Sequence, residues 1–341
     1  MPELPSSRGP IGDALLAVLR GGAGPSTLDP AVVDGADPFG EDLQLALYCA
    51  YELHYRGFDG VSDDPAADDL EWDPSVLGLR RAMERVFLDA LRAAVPASDG
   101  SDLDEVLAGL LVEPVTAHGV SHHLRRDGEE WQVREYVVHR SLYHLKEADP
   151  QAWVIPRLDG EVKAALVTVE HDEYGAGDPV RMHARLFADM MASLGLDDRY
   201  GAYLDAVPAP VLAEVNLMSL CGLHRRLRGA LVGQFATVEL TSSPGSDRLV
   251  RAMRRLGLPD AAVEFYSEHV EADAVHEQLV RRGVVAPMVA AEPELAADVV
   301  FGIRASCLLA DRTDELLLES WTAGHGALRV PLPGMPEAPA A

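Results

Sequence analysis

The stretch His269-Val-Glu-Ala-Asp273-Ala-Val-His276 carries the most information in this chain of 341 residues. Two imidazoles and a carboxylate recur in it at positions i, i+4 and i+7. An α-helix places side chains with this spacing within a narrow arc of one face. Nitrogen and carboxylate ligands on one face suit a transition metal such as iron or manganese. A solvated acidic face with incidental histidines remains an open alternative for this helix taken alone.

A second stretch, residues 172–183, places a glutamate and a histidine on either side of a break. Glu173 is expected to end one helix, and Gly175 permits a sharp turn after it. Pro179 is expected in the first turn of the next helix, where proline is well tolerated, with His183 one turn inside. The alternative is a helix–loop–helix corner with a polar lining.

Three further carboxylates are candidates for buried functional groups. Glu147 is expected in the last turn of a helix, where a negative charge opposes the helix dipole unless a cation offsets it. Glu239 lies in an otherwise apolar helical stretch, and an unpaired buried carboxylate is costly, so it is expected to have a salt-bridge partner or a metal. Glu170 precedes Glu173 by three residues and shares its face.

The preferred metal ligands are three histidines and three carboxylates from separate predicted helices. They are Glu147, Glu173, His183, His269, Asp273 and His276, with Glu239 as a lower-ranked addition. Helical bundles with this balance of ligands hold di-iron carboxylate sites. Three carboxylates offset much of the charge of two divalent ions and leave positions open for dioxygen.

Composition favours an all-α fold. Hydrophobic residues make up 48% of the chain and charged residues 25%, with only 6% aromatic residues and many Ala and Leu. Long amphipathic runs favour helices over sheets. The main predicted helices cover residues 41–57, 76–95, 131–149, 156–174, 180–194, 208–241, 245–256, 259–283 and 291–325. We expect an N-terminal helical region (1–125) packed on a helical bundle (126–328), followed by a disordered tail (329–341).

Charge and cysteine usage exclude several classes of partner. The formal net charge is −26, which disfavours binding to nucleic acid or to an anionic membrane surface. The three cysteines are far apart and do not resemble a disulfide framework or a zinc site. No signal peptide or membrane span is recognisable, so we expect a cytoplasmic protein. A homodimer is expected from base rates alone.

These motifs resemble those of the haem-oxygenase-like diiron oxidases and oxygenases, also called iron-containing redox enzymes. The resemblance spans roughly residues 130–326 and rests on three segments: Leu-Lys-Glu-Ala-Asp-Pro (145–150), the Asp-Glu-Tyr-Gly and Met-His pairs within 172–183, and residues 269–276. It implies an all-α haem-oxygenase-like bundle whose ligands, the six residues preferred above, bind two irons rather than haem. Some members carry another Glu three residues before the helix-opening His. This chain has Val180 there, so its site is expected to lack one carboxylate.

The resemblance implies a non-haem diiron enzyme with two Fe(II) ions and O2 as co-substrate. Its reaction would be N-oxygenation, desaturation, C–C cleavage or decarboxylation of an amino-acid or fatty-acid derivative, with an external electron donor. We expect the substrate pocket beside apolar residues such as Leu217, Leu220 and Phe235. Two alternatives stay open: a metal-free oxidase or hydrolase on the same fold, and a non-catalytic acidic interaction protein with exposed His and carboxylate side chains.

Overall fold

The computed structural model describes residues 1–59, 65–113 and 117–336, apart from the side chains of residues 65–67 and 271–274. Within these residues the chain is all-α, and its one β-type contact is an isolated bridge between Glu3 and Asp59. The α-helices are α1 (Pro10–Leu19), α2 (Glu41–Glu52), α3 (Pro74–Ala94), α4 (Leu103–Leu110), α5 (Val120–Arg126), α6 (Glu130–His144), α7 (Asp149–Ala152), α8 (Gly160–Glu173), α9 (His183–Ser193), α10 (Ala209–Leu223), α11 (Arg228–Leu256), α12 (Asp260–Leu279), α13 (Ala286–Ala291) and α14 (Leu295–Thr322). The predicted fold class is confirmed.

Helix α11 forms the centre of the bundle. It packs between α12 and α14, and α9 packs on the other side of α12. Gly233 on α11 and Gly302 on α14 lie at the crossing of these two helices, where a Cβ atom would collide with the backbone of Val299 or Ala230. Glycine at these positions lets the helix axes approach closely, which shapes the core around the polar residues of α6, α8 and α12.

The segment predicted as one helix over 208–241, with a possible bend near Gly222 or Gly229, is divided into α10 and α11. His224 has an extended conformation between α10 and α11, because the Arg157 side chain donates hydrogen bonds to the carbonyls of Gly222 and Leu223. Those carbonyls would otherwise accept the next intrahelical bonds. In contrast, α11 continues through Pro244, where packing against its neighbours outweighs the helix-breaking tendency of proline.

The turn between α8 and α9 follows the prediction at its start and departs from it at its end. Glu173 ends α8, and Gly175 has a φ of 72°, the left-handed conformation that favours glycine. Pro179 does not open a helix, because Asp178 forms a turn around it. The side chain of Asp178 accepts a hydrogen bond from the N–H of Val180, and its carbonyl oxygen accepts one from the N–H of Arg181. Helix α9 therefore begins at His183, which is its first residue.

The N-terminal helices pack on the bundle, mainly through α2 against α10. Their contact with the turn between α6 and α7 includes a buried ion pair, in which Lys146 Nζ lies 3.2 Å from Glu52 Oε2. At the other end of the chain, the segment after α14 lies against the bundle, where the N–H of Arg329 donates to the carbonyl of Ala206. Residues 337–341 of the predicted tail lie outside the described residues. No helix that the structure describes is long and apolar enough to cross a membrane.

Candidate metal centre

Four side chains from four segments meet in the bundle interior. The ligand atoms of Glu147, Glu173, His183 and His269 all lie within 4.8 Å of one another, and all four residues are buried. The imidazole rings of His183 and His269 have centroids 4.3 Å apart. We call these four residues the first half-site. Two imidazoles and two carboxylates converging on one point form a plausible ligand set for iron.

Glu173 also belongs to a second cluster, formed with Glu239 of α11 and His276 of α12. The ligand atoms of these three buried residues again lie within 4.8 Å of one another. We call Glu173, Glu239 and His276 the second half-site. Glu173 turns one oxygen to each cluster: Oε2 lies 2.8 Å from His183 Nδ1, and Oε1 lies 3.7 Å from His276 Nδ1. One carboxylate facing two groups of ligands has the geometry of a bridge between two metal ions.

Hydrogen bonds orient the imidazoles. His269 Nδ1 lies 2.8 Å from the carbonyl oxygen of Phe265, to which it donates. Its Nε2 is buried and has no hydrogen-bond partner in the described part of the chain. In the second half-site, His276 Nε2 lies 3.2 Å from Asp172 Oδ2. The other nitrogen, Nδ1, faces Glu239 at 3.1 Å. Metal-binding histidines are held in this way, with one nitrogen fixed by an outer acceptor and the other directed at the ion.

The protonation states of the first half-site favour a cation. Burial lowers the pKa of His269 to about 3, so the ring is neutral and its lone pair is available. Burial opposes ionisation of Glu147, but the neighbouring imidazoles, His144 first, outweigh it and lower the pKa of Glu147 to about 2. His144 Nδ1 lies 2.9 Å from Glu147 Oε2 and fixes that carboxylate. His269 and Glu147 are therefore deprotonated at neutral pH, as metal ligands must be.

The second half-site holds protons instead. Burial opposes the charged form of His276, but Glu239 and then Glu173 outweigh it and raise the pKa of His276 to about 9. Burial raises the pKa of Glu173 to about 7, against the effect of His183. Burial, together with Glu173 and Glu239, raises the pKa of Glu170 to about 9. A protonated His276 among carboxylates places a positive charge within the second half-site.

Most of the predicted ligands come together, and the structure changes the role of several residues. Asp273 is on α12, but its side chain lies outside the described residues. Glu147 does not end a helix: α6 ends at His144, and Glu147 lies in the turn before α7. That turn is anchored by the ion pair of its neighbour Lys146, which sequence reasoning missed. Glu239, ranked below the six, lies inside the second half-site.

Two other sequence positions bear on the second half-site. Sequence reasoning also missed Asp172, although its position next to Glu173 in the motif was a signal. Val180 is 65% exposed and points away from the interior, so no ligand is supplied from that position.

A cavity of about 250 Å³ opens beside the first half-site and is lined by Glu147 and His269 at one end. Arg140, Glu214 and Asp314 lie among its other lining residues. Leu217 lines it as expected. The described lining does not include Leu220 or Phe235, which are buried elsewhere in the core.

Comparison with known proteins agrees with this geometry. A family described as "Iron-containing redox enzyme" matches residues 134–311, about half of the chain, and this span contains both half-sites. The chain belongs to this family. It is also similar to a nitrosourea synthase of Streptomyces achromogenes subsp. streptozoticus, at 23% identity over 175 residues, which is 51% of this chain and 37% of that protein. The chain thus matches little more than a third of the length of this relative.

Proposed function

We propose that this member of the iron-containing redox enzymes is a non-haem diiron enzyme that uses O2 to oxidise a small organic substrate. Each half-site would hold one iron, and Glu173 would be a ligand shared by both. The observation that carries the proposal is the orientation of Glu173, whose two oxygens face His183 and His276 separately. The bound irons would supply redox chemistry and O2 activation.

The side chains of the chain itself would hold and orient this centre. His269 presents a neutral Nε2 because its Nδ1–H is engaged by the Phe265 carbonyl. His144 fixes Glu147, and Asp172 fixes His276. Apolar residues such as Phe187 and Phe265 pack around His144 and His269 and keep bulk water from the first half-site. Water exclusion strengthens the interaction between carboxylates and cations.

Burial of the ligands argues against the non-catalytic alternative. That alternative expects exposed histidines and carboxylates, whereas the most exposed ligand of the two half-sites, His269, is only 7% exposed. Iron binding distinguishes the diiron enzyme from the alternative of a metal-free enzyme on the same fold. Anaerobic loading with Fe(II) should give two irons per chain, and O2 should then change the visible spectrum. A chain that takes up no iron would rule out the proposal, and a Soret band after haem addition would favour haem instead.

The cavity supports a substrate with a basic nitrogen over a fatty acid. Arg140 Nη1 lies 3.0 Å from Glu214 Oε2, so the guanidinium is already engaged. Asp314 adds a second carboxylate, which accepts a hydrogen bond from the N–H of Val120. One cation facing two carboxylates leaves an excess of negative charge, which attracts an ammonium or amidine group and repels a carboxylate.

Matched ligands test this preference. Linear amines and alkanoates of equal chain length can be compared by the shift in Tm that each causes in the iron-loaded protein. We expect the amines to stabilise the wild type and to lose that effect in Asp314→Asn. Stronger stabilisation by the alkanoates would reverse the assignment of substrate class while leaving the diiron centre untouched.

A further inference from the structure

Glu170 is a buried carboxylate that the two half-sites leave unexplained. It lies on α8 one turn before Glu173, and its side chain is 2% exposed. Both of its carboxylate oxygens are buried without a hydrogen-bond partner among the described residues. Buried carboxylates in folded proteins are normally paired, hydrogen-bonded or bound to a metal. A partner for Glu170 is therefore expected from outside the described residues.

The surroundings of Glu170 identify the charge of that partner. The four charged groups that act most strongly on it are all carboxylates: Glu173, Glu239, Asp149 and Glu147. Two of these, Glu173 and Glu239, belong to the second half-site. No cationic side chain is among these four groups, so a bound cation would relieve the repulsion when Glu170 is ionised.

We propose that Glu170 is a ligand of the ion at the second half-site, an inference that rests on the proposed diiron centre. Its oxygens stand outside the group of atoms within 4.8 Å of one another, so ligation requires the Glu170 side chain to turn toward Glu173 and Glu239 when an ion binds. Glu170, Glu173, Glu239 and His276 would then hold that ion, a harder set than the two imidazoles and two carboxylates of the first half-site.

Manganese(II) alone provides the test, because two neighbouring Mn(II) ions give an exchange-coupled EPR spectrum and an isolated ion gives a six-line spectrum. The wild type should bind two ions and show the coupled spectrum. The isosteric Glu170→Gln variant should bind the second ion at least about tenfold more weakly and show the six-line spectrum. Glu170→Asp, which keeps the charge, should recover part of the affinity for the second ion.

Glu161→Gln, an exposed position on the same helix, is the matched control and should behave as the wild type. Helical content by circular dichroism confirms that each variant is folded. If Glu170→Gln retains both ions with wild-type affinity and the coupled spectrum, Glu170 is not a ligand although the diiron centre stands. If the wild type binds no Mn(II) and no Fe(II), the proposed function and the role of Glu170 fail together.

Discussion

The two half-sites share Glu173 but differ in the protonation of their other ligands. In the first, burial keeps His269 neutral, and the pKa of Glu147 is lowered to about 2. In the second, Glu239 and Glu173 outweigh burial and raise the pKa of His276 to about 9, while burial and then the same carboxylates raise the pKa of the adjacent Glu170 to about 9. The first half-site is therefore ready for a cation, whereas the second holds protons that an ion must displace.

If the proposed two ions bind, this difference would give them unequal affinities. In the first half-site, His183 and His269 pack against the ring of Phe265. The second is connected to Asp172, which is 47% exposed at its side chain, and therefore communicates with solvent. We infer that the first ion binds more tightly and that the second is exchanged more readily.

Replacing the shared ligand should have the largest effect. Glu173→Gln removes the negative charge that both half-sites use, while its shape is preserved. We expect the variant to lose the second ion and to bind the first much more weakly, as measured by iron content after anaerobic loading. The exposed Glu264→Gln on α12 is the control. Retention of two irons by Glu173→Gln would show that Glu173 is not the bridge.

A change that acts on the first half-site alone is Lys146→Met. It breaks the buried pair with Glu52 and leaves a buried carboxylate without its cation, which should lower the free energy of unfolding by about 3 kcal/mol. The turn that carries Glu147 should loosen, so the first ion should bind more weakly. Urea unfolding and metal titration measure the two effects.

Lys163→Met is the matched control, because Lys163 pairs with Asp159 at the surface and exposed pairs contribute little. Equal stability of Lys146→Met and Lys163→Met would remove the proposed link between the N-terminal helices and the metal centre.

The two ions should differ in their dependence on pH. Binding of the second ion releases the proton of His276, so its affinity should rise by about tenfold per pH unit for each proton released, up to about pH 9. His269, with a pKa of about 3, is already neutral, so binding of the first ion should change less with pH. Titrations with Mn(II) at several pH values measure both affinities.

The proton of His276 also affects the stability of the metal-free protein. The folded-state pKa of His276 is raised from 6.5 to about 9. Its contribution to stability is thus fully present below pH 6.5 and is lost as the pH rises through 9. The raised pKa values of Glu170 and Glu173 act in the same direction, so Tm of the metal-free protein should fall over this range. A Tm that rises instead would contradict the assigned protonation states.

The smallest effect is expected for Asp172→Asn, which acts on the second half-site alone. Asparagine can still contact His276 Nε2, but it no longer fixes the tautomer by its charge. We expect up to about a tenfold loss of affinity for the second ion and no change for the first, measured by the same Mn(II) titrations. Asp189→Asn on α9, which is exposed and pairs with Arg185, is the control. A loss of the first ion would show that the two half-sites are not separable.

Much of the fold was predictable because its signals are local. Helical periodicity and the scarcity of alternating patterns predicted an all-α protein, and Gly175 marked the end of α8. The boundaries that failed depended on distant partners. The break after α10 follows from the Arg157 side chain, and the continuation of α11 through Pro244 follows from packing on α12 and α14.

The sequence by itself determined which side chains were available to bind metal. Glu173 and His183 lie within one short segment (172–183), and His269 and His276 lie within another (269–276). Only the tertiary structure decided which of these ligands belong to the first half-site and which to the second. Glu239 joins Glu173 and His276 because α12 packs against both α11 and α8, and Glu170 lies among carboxylates for the same reason. Burial and neighbouring charge set the protonation of each ligand, and both are properties of helices packed together rather than of any one segment.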